Sequence, residues 1–280
     1  MNNGYRILLP TDYSGAADKA LEVGIELAET SGSALDILHI SELTPHWVTL
    51  AEKSDRNLYY GINKELDRVR GEMADRMDIA KQADIDVSDH IEFKTGYKAI
   101  LNFAKEHKNN LIVMGAHGIT GLLGLAMGSF TRKILHTTDL PVLVVKKDDP
   151  PFKPKRIAYL SDFDPHYVGN LPKLFDFASK MGCEVHLISV NTPATFREST
   201  LMLERIDHYA AQAPDRLITR KVIHNAFRLE EGLTDYCERN DIDIISLQIY
   251  KKQHAWRVLG GTINDLVNHL HMPILAIPDS

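Results

Sequence analysis

The chain has 280 residues, with 32 Lys and Arg against 38 Asp and Glu, and carries a net charge of −6. That length accommodates two ordinary domains of about 140 residues, each with an ample core, and the mild negative charge argues against general attraction to nucleic acid or to anionic membrane. No apolar run reaches the ~18 residues of a spanning helix, Met1 to Arg6 lack the regions of a signal peptide, and Cys183 and Cys237 are too few and too far apart for a disulfide framework. A cytoplasmic chain with two ordinary buried thiols is expected.

In chain order, apolar runs predict strands at 5–10, 34–40, 88–94, 111–115 and 141–145, then at 156–160, 184–190, 218–223, 243–248 and 274–278. Helical periodicity fills the gaps. It is clearest over 57–83, where Leu58, Ile62, Leu66, Val69, Met73, Met77 and Ala80 form one apolar stripe. Strands alternating with helices predict an α/β fold in which parallel sheets are covered by helices on both faces, that is, doubly wound Rossmann-like sheets. Pro141 and Pro273 each open a last strand, where a missing donor is tolerated.

The second half repeats the first. Asp12 and Asp162, Gly32 and Gly182, and Ile40 and Val190 are each 150 positions apart. Between the copies, Lys146 to Pro154 is charged and proline-rich, which reads as a semi-rigid linker and puts the domains at 1–148 and 155–280.

The chemistry concentrates behind the fourth strand. Gly115-Ala116-His117-Gly118 follows Leu111-Ile112-Val113-Met114, and after nine residues Gly128-Ser129 opens the next helix. Glycine at both places lets backbone amides approach a phosphate chain, and the helix N-terminus favours its charge. The spacing is not that of a dinucleotide fingerprint, and no Gly-Lys-Ser/Thr P-loop ending is present. The intervening stretch 119–127 is apolar for a surface connection, which suggests packing against the ligand or the neighbouring copy rather than a free flap.

Gly, two residues, Gly, nine residues, Gly-Ser resembles the ATP-binding signature of the universal stress protein family. Ile7 to Ser14 resembles that family's first strand and Asp-bearing loop, and Leu35 to Ile40 its second strand. The fold implied is two adenine nucleotide alpha hydrolase-like domains in tandem, paired through their last strands, 142–145 and 274–277. The resemblance places Asp12, after Pro10 and Thr11, against adenine or ribose and gives the backbone of Ile40 the adenine edge. Met114, Gly115 and Gly118 would line the ribose and phosphates, and Gly128, Ser129 and Phe130 would hold the phosphates, with Arg132 or a divalent ion such as magnesium assisting.

Each residue also has a structural reading. Asp12 suits an Asx turn or helix cap, for which Ser14 is an equal candidate. The glycines suit tight turns and a helix start. His117 either meets phosphate or fills space, and His39 reads as a strand-end histidine satisfied by backbone. In the second copy the glycine loop is replaced by Gln248-Ile249-Tyr250-Lys251, although Gly260-Gly261-Thr262 retains a trace of the closing pair. A degenerate second site is expected. No general base, arginine finger or metal cluster is legible, so ATP is expected as a regulatory ligand in a stress response. Slow hydrolysis or phosphotransfer, and an ATP-independent scaffold or small-molecule binder, are the alternatives. Association of two chains into a homodimer stays open.

Overall fold

The computed structural model describes residues 4–54, 57–116, 129–164, 171–215, 217–249, 257–258, 261–262, 270 and 272–278. It divides into two compact units, Met1–Met114 and Gly115–Ser280.

In the first unit, β1 (Arg6–Thr11) leads through α1 (Gly15–Ser31) to β2 (Ala34–Ile40), and through α2 (Pro45–Lys53) and α3 (Tyr60–Ala80) to β3 (Val87–Glu92). α4 (Tyr97–Glu106) then returns the chain to β4 (Leu111–Gly115). The strands are parallel in the order β3-β2-β1-β4. Progress from β1 to β3 runs one way across the sheet and the step to β4 reverses it, so right-handed crossovers put α1 and α3 on one face and α4 on the other. Contact between α1 and α3 agrees.

Local chemistry sets the element ends. Ser14 caps α1, its hydroxyl accepting from the Ala17 amide, and Gly32 at φ 66° closes the helix in the left-handed region. The expected stripe buries Leu66, Val69, Met73, Met77 and Ala80 along α3, with Ile62 half-buried. Leu58 departs from it at 71% exposure. It precedes the first turn of α3, where helical phase no longer fixes its direction.

The second unit holds α5 (Ser129–Thr137), β5 (Val142–Val145), β6 (Arg156–Leu160), α6 (Leu171–Met181), β7 (Glu184–Asn191), α7 (Ser199–Ala210), β8 (Ile218–Asn225), α8 (Leu229–Arg239) and β9 (Ile244–Ile249). A two-residue ladder, β10 (Arg257–Val258) with β11 (Gly261–Thr262), and the strand β12 (Ile274–Pro278) complete it. The order β8-β7-β6-β9 repeats that of the first four strands, so doubly wound α/β topology occurs twice along the chain. β12 pairs in parallel with β9, and antiparallel with β5 through Ile274–Val144, Leu275–Leu143 and Ala276–Val142.

The proline-rich segment contains neither helix nor strand, yet it is docked: Phe152 and Asp149 are buried, and the Lys146 ammonium donates to the Leu270 carbonyl. Cys183 and Cys237 are free and buried, and burial pushes both thiols up to about 12.

α8 approaches β7 closely at Gly232. A methyl group there would lie 2.5 Å from the Ala226 Cβ and 3.0 Å from a Val190 methyl. Neither neighbour is the far end of a flexible chain. Overpacking of roughly 1–3 kcal/mol exceeds the ~1 kcal/mol that alanine gains in helix propensity. Gly232→Ala is therefore expected to destabilise the fold by up to about 2 kcal/mol in urea unfolding.

Candidate functional site

The carboxyl ends of β1, β2 and β4 share one edge because the three strands are parallel neighbours. Strand order reverses between β1 and β4, and a crevice forms outside the sheet at such a reversal. Leu8 pairs with Ile112, so two residues further on Pro10 and Met114 reach the same edge. Pro10 is half-buried, Met114 and Thr11 are buried, Asp12 is exposed, and Ile40 ends β2 half-buried.

After β1 the chain turns sharply. The Thr11 hydroxyl accepts from the Tyr13 amide at 3.1 Å, and the Asp12 carboxylate accepts from the Ser14 amide at 3.1 Å. Between them Tyr13 takes φ 64°, an uncommon conformation for a bulky residue. The Asx turn foreseen for Asp12 is present, and the cap falls to Ser14. One Asp12 oxygen serves the turn while the side chain stays at the surface.

The left-handed Tyr13 is held from three sides. Its ring stacks on His39 at 4.4 Å, its hydroxyl donates to the Val69 carbonyl at 3.2 Å, and Arg76 lies 5.0 Å over the ring. Arg76 also donates to the Tyr13 carbonyl at 3.3 Å and pairs with Asp18 at 2.9 Å. Burial pushes the Tyr13 hydroxyl pKa upward, opposed in part by Arg76 and Arg68. Tyr13 and Arg76 were not among the residues expected at this site. A left-handed tyrosine has no sequence signature, and Arg76 arrives from α3, 63 positions away.

His39 is the strand-end histidine foreseen: its Nδ1 lies 2.9 Å from the Thr11 carbonyl and acts as the donor, since a carbonyl only accepts. Burial lowers its pKa, partly offset by that hydrogen bond, so the ring is neutral at pH 7.

In the second unit, Gly115 is buried and ends β4, and its carbonyl lies 3.5 Å from the Thr131 hydroxyl. Thr131 is in the first turn of α5, so this contact ties the helix start to the strand end. The Ala116 amide donates to the Val145 carbonyl at 2.7 Å. Ser129 opens α5, and Phe130 beside it is 41% exposed. His117, Gly118, Gly128 and the apolar stretch 119–127 lie outside the described residues.

The corresponding loop after β6 keeps the backbone and changes the chemistry. The Ser161 hydroxyl accepts from the Phe163 amide at 3.0 Å, and Phe163 takes φ 50°. Asp162 is ion-paired to Arg197 at 3.3 Å, and Arg197 also donates to its carbonyl at 2.9 Å. Gln248, the penultimate residue of β9 and the first of the stretch that replaces the glycine loop, is buried, and its side-chain carbonyl oxygen accepts from the Tyr159 hydroxyl at 3.4 Å. Gly261-Thr262 lies in the β10–β11 ladder, whereas Ser129 opens a helix. Tyr250 and Lys251 lie outside the described residues.

Residues 5–146 match the model of the Universal stress protein family. The chain belongs to this family. A universal stress protein of Methanocaldococcus jannaschii, MJ0531, is 30% identical over 144 residues, covering 51% of this chain and 82% of that protein. Bacillus subtilis YxiE, also a universal stress protein, is 30% identical over 149 residues, covering 50% of this chain and 98% of its own. The whole fold resembles the crystal structure of a universal stress protein from Archaeoglobus fulgidus, with a TM-score of 0.69, 17% identity, and coverage of 99% of this chain and 100% of that one.

The depressed His39 pKa has a consequence for this universal stress protein. Below the ordinary imidazole value of 6.5 the unfolded chain binds a proton that the folded chain resists, so stability falls as pH drops through that value toward the lower folded one. His186, also lowered by burial, acts in the same direction. Urea midpoints are expected to be lower at pH 5.5 than at pH 7.5, and His39→Gln should reduce that difference; an unchanged difference would remove His39 from the account.

Proposed function

We propose that the first half of the chain binds ATP as a regulatory ligand and that the second half is a pseudo-site which serves the fold. The observation that carries the reading is the contrast at the strand ends. β4 finishes on Gly115, which puts no side chain at that position, whereas the β9 counterpart presents the Gln248 side chain hydrogen-bonded to Tyr159. The acidic residues differ in exposure: Asp12 is exposed, and Asp162 is half-buried beside Arg197.

In this reading Asp12 meets adenine or ribose, the backbone of Ile40 reads the adenine edge, and Pro10, Thr11 and Met114 shape the mouth. Gly115, His117 and Gly118 line the ribose and phosphates. The amides of Gly128, Ser129 and Phe130 receive the phosphates, helped by the dipole of α5 and by magnesium accompanying the nucleotide. The family match from 5 to 146 supports a first domain ending near 148 and a second beginning near 155. The antiparallel β5–β12 ladder supports pairing of the two domains within one chain. The proposed setting is a cytoplasmic stress response.

Regulatory binding is favoured over hydrolysis by the state of His39, which adjoins Ile40 at the mouth. It is neutral, but its Nδ1 is committed to the Thr11 carbonyl and its ring is stacked under Tyr13. A base so placed is poorly set to activate water.

Protein denatured immediately after purification is expected to release an adenine nucleotide identifiable by mass spectrometry, and calorimetry with magnesium-ATP should give one site per chain. Gly118→Val should abolish binding in a folded protein, and Asp12→Ala should weaken it about tenfold, the equivalent of one charged hydrogen bond. Absence of both nucleotide and binding heat would overturn the reading in favour of an ATP-independent scaffold. Arg197→Ala is expected to leave the stoichiometry at one, because the Gln248 side chain still stands where the first half has Gly115; a second equivalent would show that Arg197 alone closes the second site.

A further inference from the structure

A second constellation lies on the other face of the first sheet, where α4 packs. Asp36 on β2 is fully buried and bound to three donors: Arg6 Nε at 3.0 Å and Asn109 Nδ2 at 2.7 Å on Oδ2, and Arg6 Nη2 on Oδ1. A carboxylate offers about four acceptor positions. The remaining one, on Oδ1, faces His90 Nε2 at 3.4 Å, a buried nitrogen without a hydrogen-bond partner. His107, at the end of α4, closes the group, and one donor atom from each of Asp36, His90 and His107 lies within 4.8 Å of the others. The rings are packed edge-on and stacked: His90 against Phe103 at 4.7 Å and His107 at 4.9 Å, and His107 on Phe103 at 3.8 Å.

The second half of the chain provides an internal control. Registers Leu38–His90 and Ile188–Val222 put a valine at the His90 position. The buried acid Asp36 becomes His186, and that histidine is satisfied, its Nδ1 lying 2.8 Å from the Tyr236 hydroxyl. Tyr236 occupies on α8 the place that Phe103 holds on α4. Thus where the second half supplies a hydroxyl to a buried imidazole, the first half supplies only the phenyl ring of Phe103 and leaves the His90 nitrogen aimed at a carboxylate.

We propose that Asp36, His90 and His107 form a binding site for a divalent transition-metal ion of the zinc class, separate from the nucleotide crevice. Two imidazoles and a carboxylate are a fitting donor set for zinc. At zinc–ligand distances near 2.0–2.1 Å, neighbouring tetrahedral ligand atoms are about 3.3 Å apart, so the 3.4 Å between His90 and Asp36 already matches an edge. His107 has at most about 1.5 Å to close, within reach of side-chain rotation. Arg6 and Asn109 remain on the carboxylate as the outer hydrogen bonds that orient a metal ligand. Although burial alone would raise the Asp36 pKa, the hydrogen bonds from Arg6 and Asn109 outweigh it and keep the group ionised, as a ligand must be. β3 is the edge strand and His90 is 26% exposed, so the ion has a route in and water can complete the coordination.

The test is Zn²⁺ titration of the chelator-treated full chain against a chromophoric competitor. The wild type is expected to take up one equivalent, with His107→Ala and His90→Gln each weakening uptake at least about tenfold, since even outer-ligand changes cost 10–100-fold. Far-UV circular dichroism establishes that the variants fold. A measurement on the wild type alone accompanies it: modification of the chain's 13 histidines by diethyl pyrocarbonate, mapped by mass spectrometry with and without Zn²⁺. Selective protection of His90 and His107 supports the site. No uptake at micromolar Zn²⁺, uptake unchanged in both variants, or protection of other histidines instead would overturn it.

Discussion

The reversal of strand order at β1 is the constraint on which the rest of the first unit depends. A strand with parallel neighbours that enter from opposite directions must have its crossover helices on opposite faces, and its carboxyl end must open between two diverging connections. The capped start of α1, the turn through Asp12 and the glycine that finishes β4 are solutions to leaving that edge. The amino-terminal half of the sheet has the complementary problem. Its charged residue Asp36 lies within the sheet–helix layer, and the fork of Arg6 and the amide of Asn109 make that burial tolerable.

Much of this architecture is legible in the sequence because it rests on periodicity. The apolar runs mark strands at close to their observed positions, and the 150-residue offset carries the second half along with them, down to Gly32 and Gly182 at φ 66° and 63°. After β2 and β7 the halves differ in length, so α4 and β4 align with α8 and β9 at a different offset. That shift conceals the correspondence of Phe103 with Tyr236 from a simple register of 150.

What sequence does not disclose is long-range and rotational. Nothing near Tyr13 announces its left-handed backbone, since Asp12 and Ser14 would support an ordinary turn equally well, and its three supports come from β2 and α3. Arg197 is equally silent: an arginine 35 positions beyond Asp162 is one of many until the fold brings it to the carboxylate. Asp36, His90 and His107 likewise come from three separate elements without motif spacing, and become a group only when β3 is laid beside β2 and α4 is packed across both.

The left-handed kink at Tyr13 recurs at Phe163, and neither position is glycine. Each residue holds a conformation costing about 1–2 kcal/mol in isolation, which the surrounding ring stack, hydroxyl bond or buried aromatic packing must overcome. A glycine would adopt the same shape freely, but it would also roam in the absence of contacts. With the Tyr13 ring held by those contacts, the Asp12 loop is already ordered in the folded chain, so any ligand of that loop would meet a segment whose ordering entropy was lost on folding.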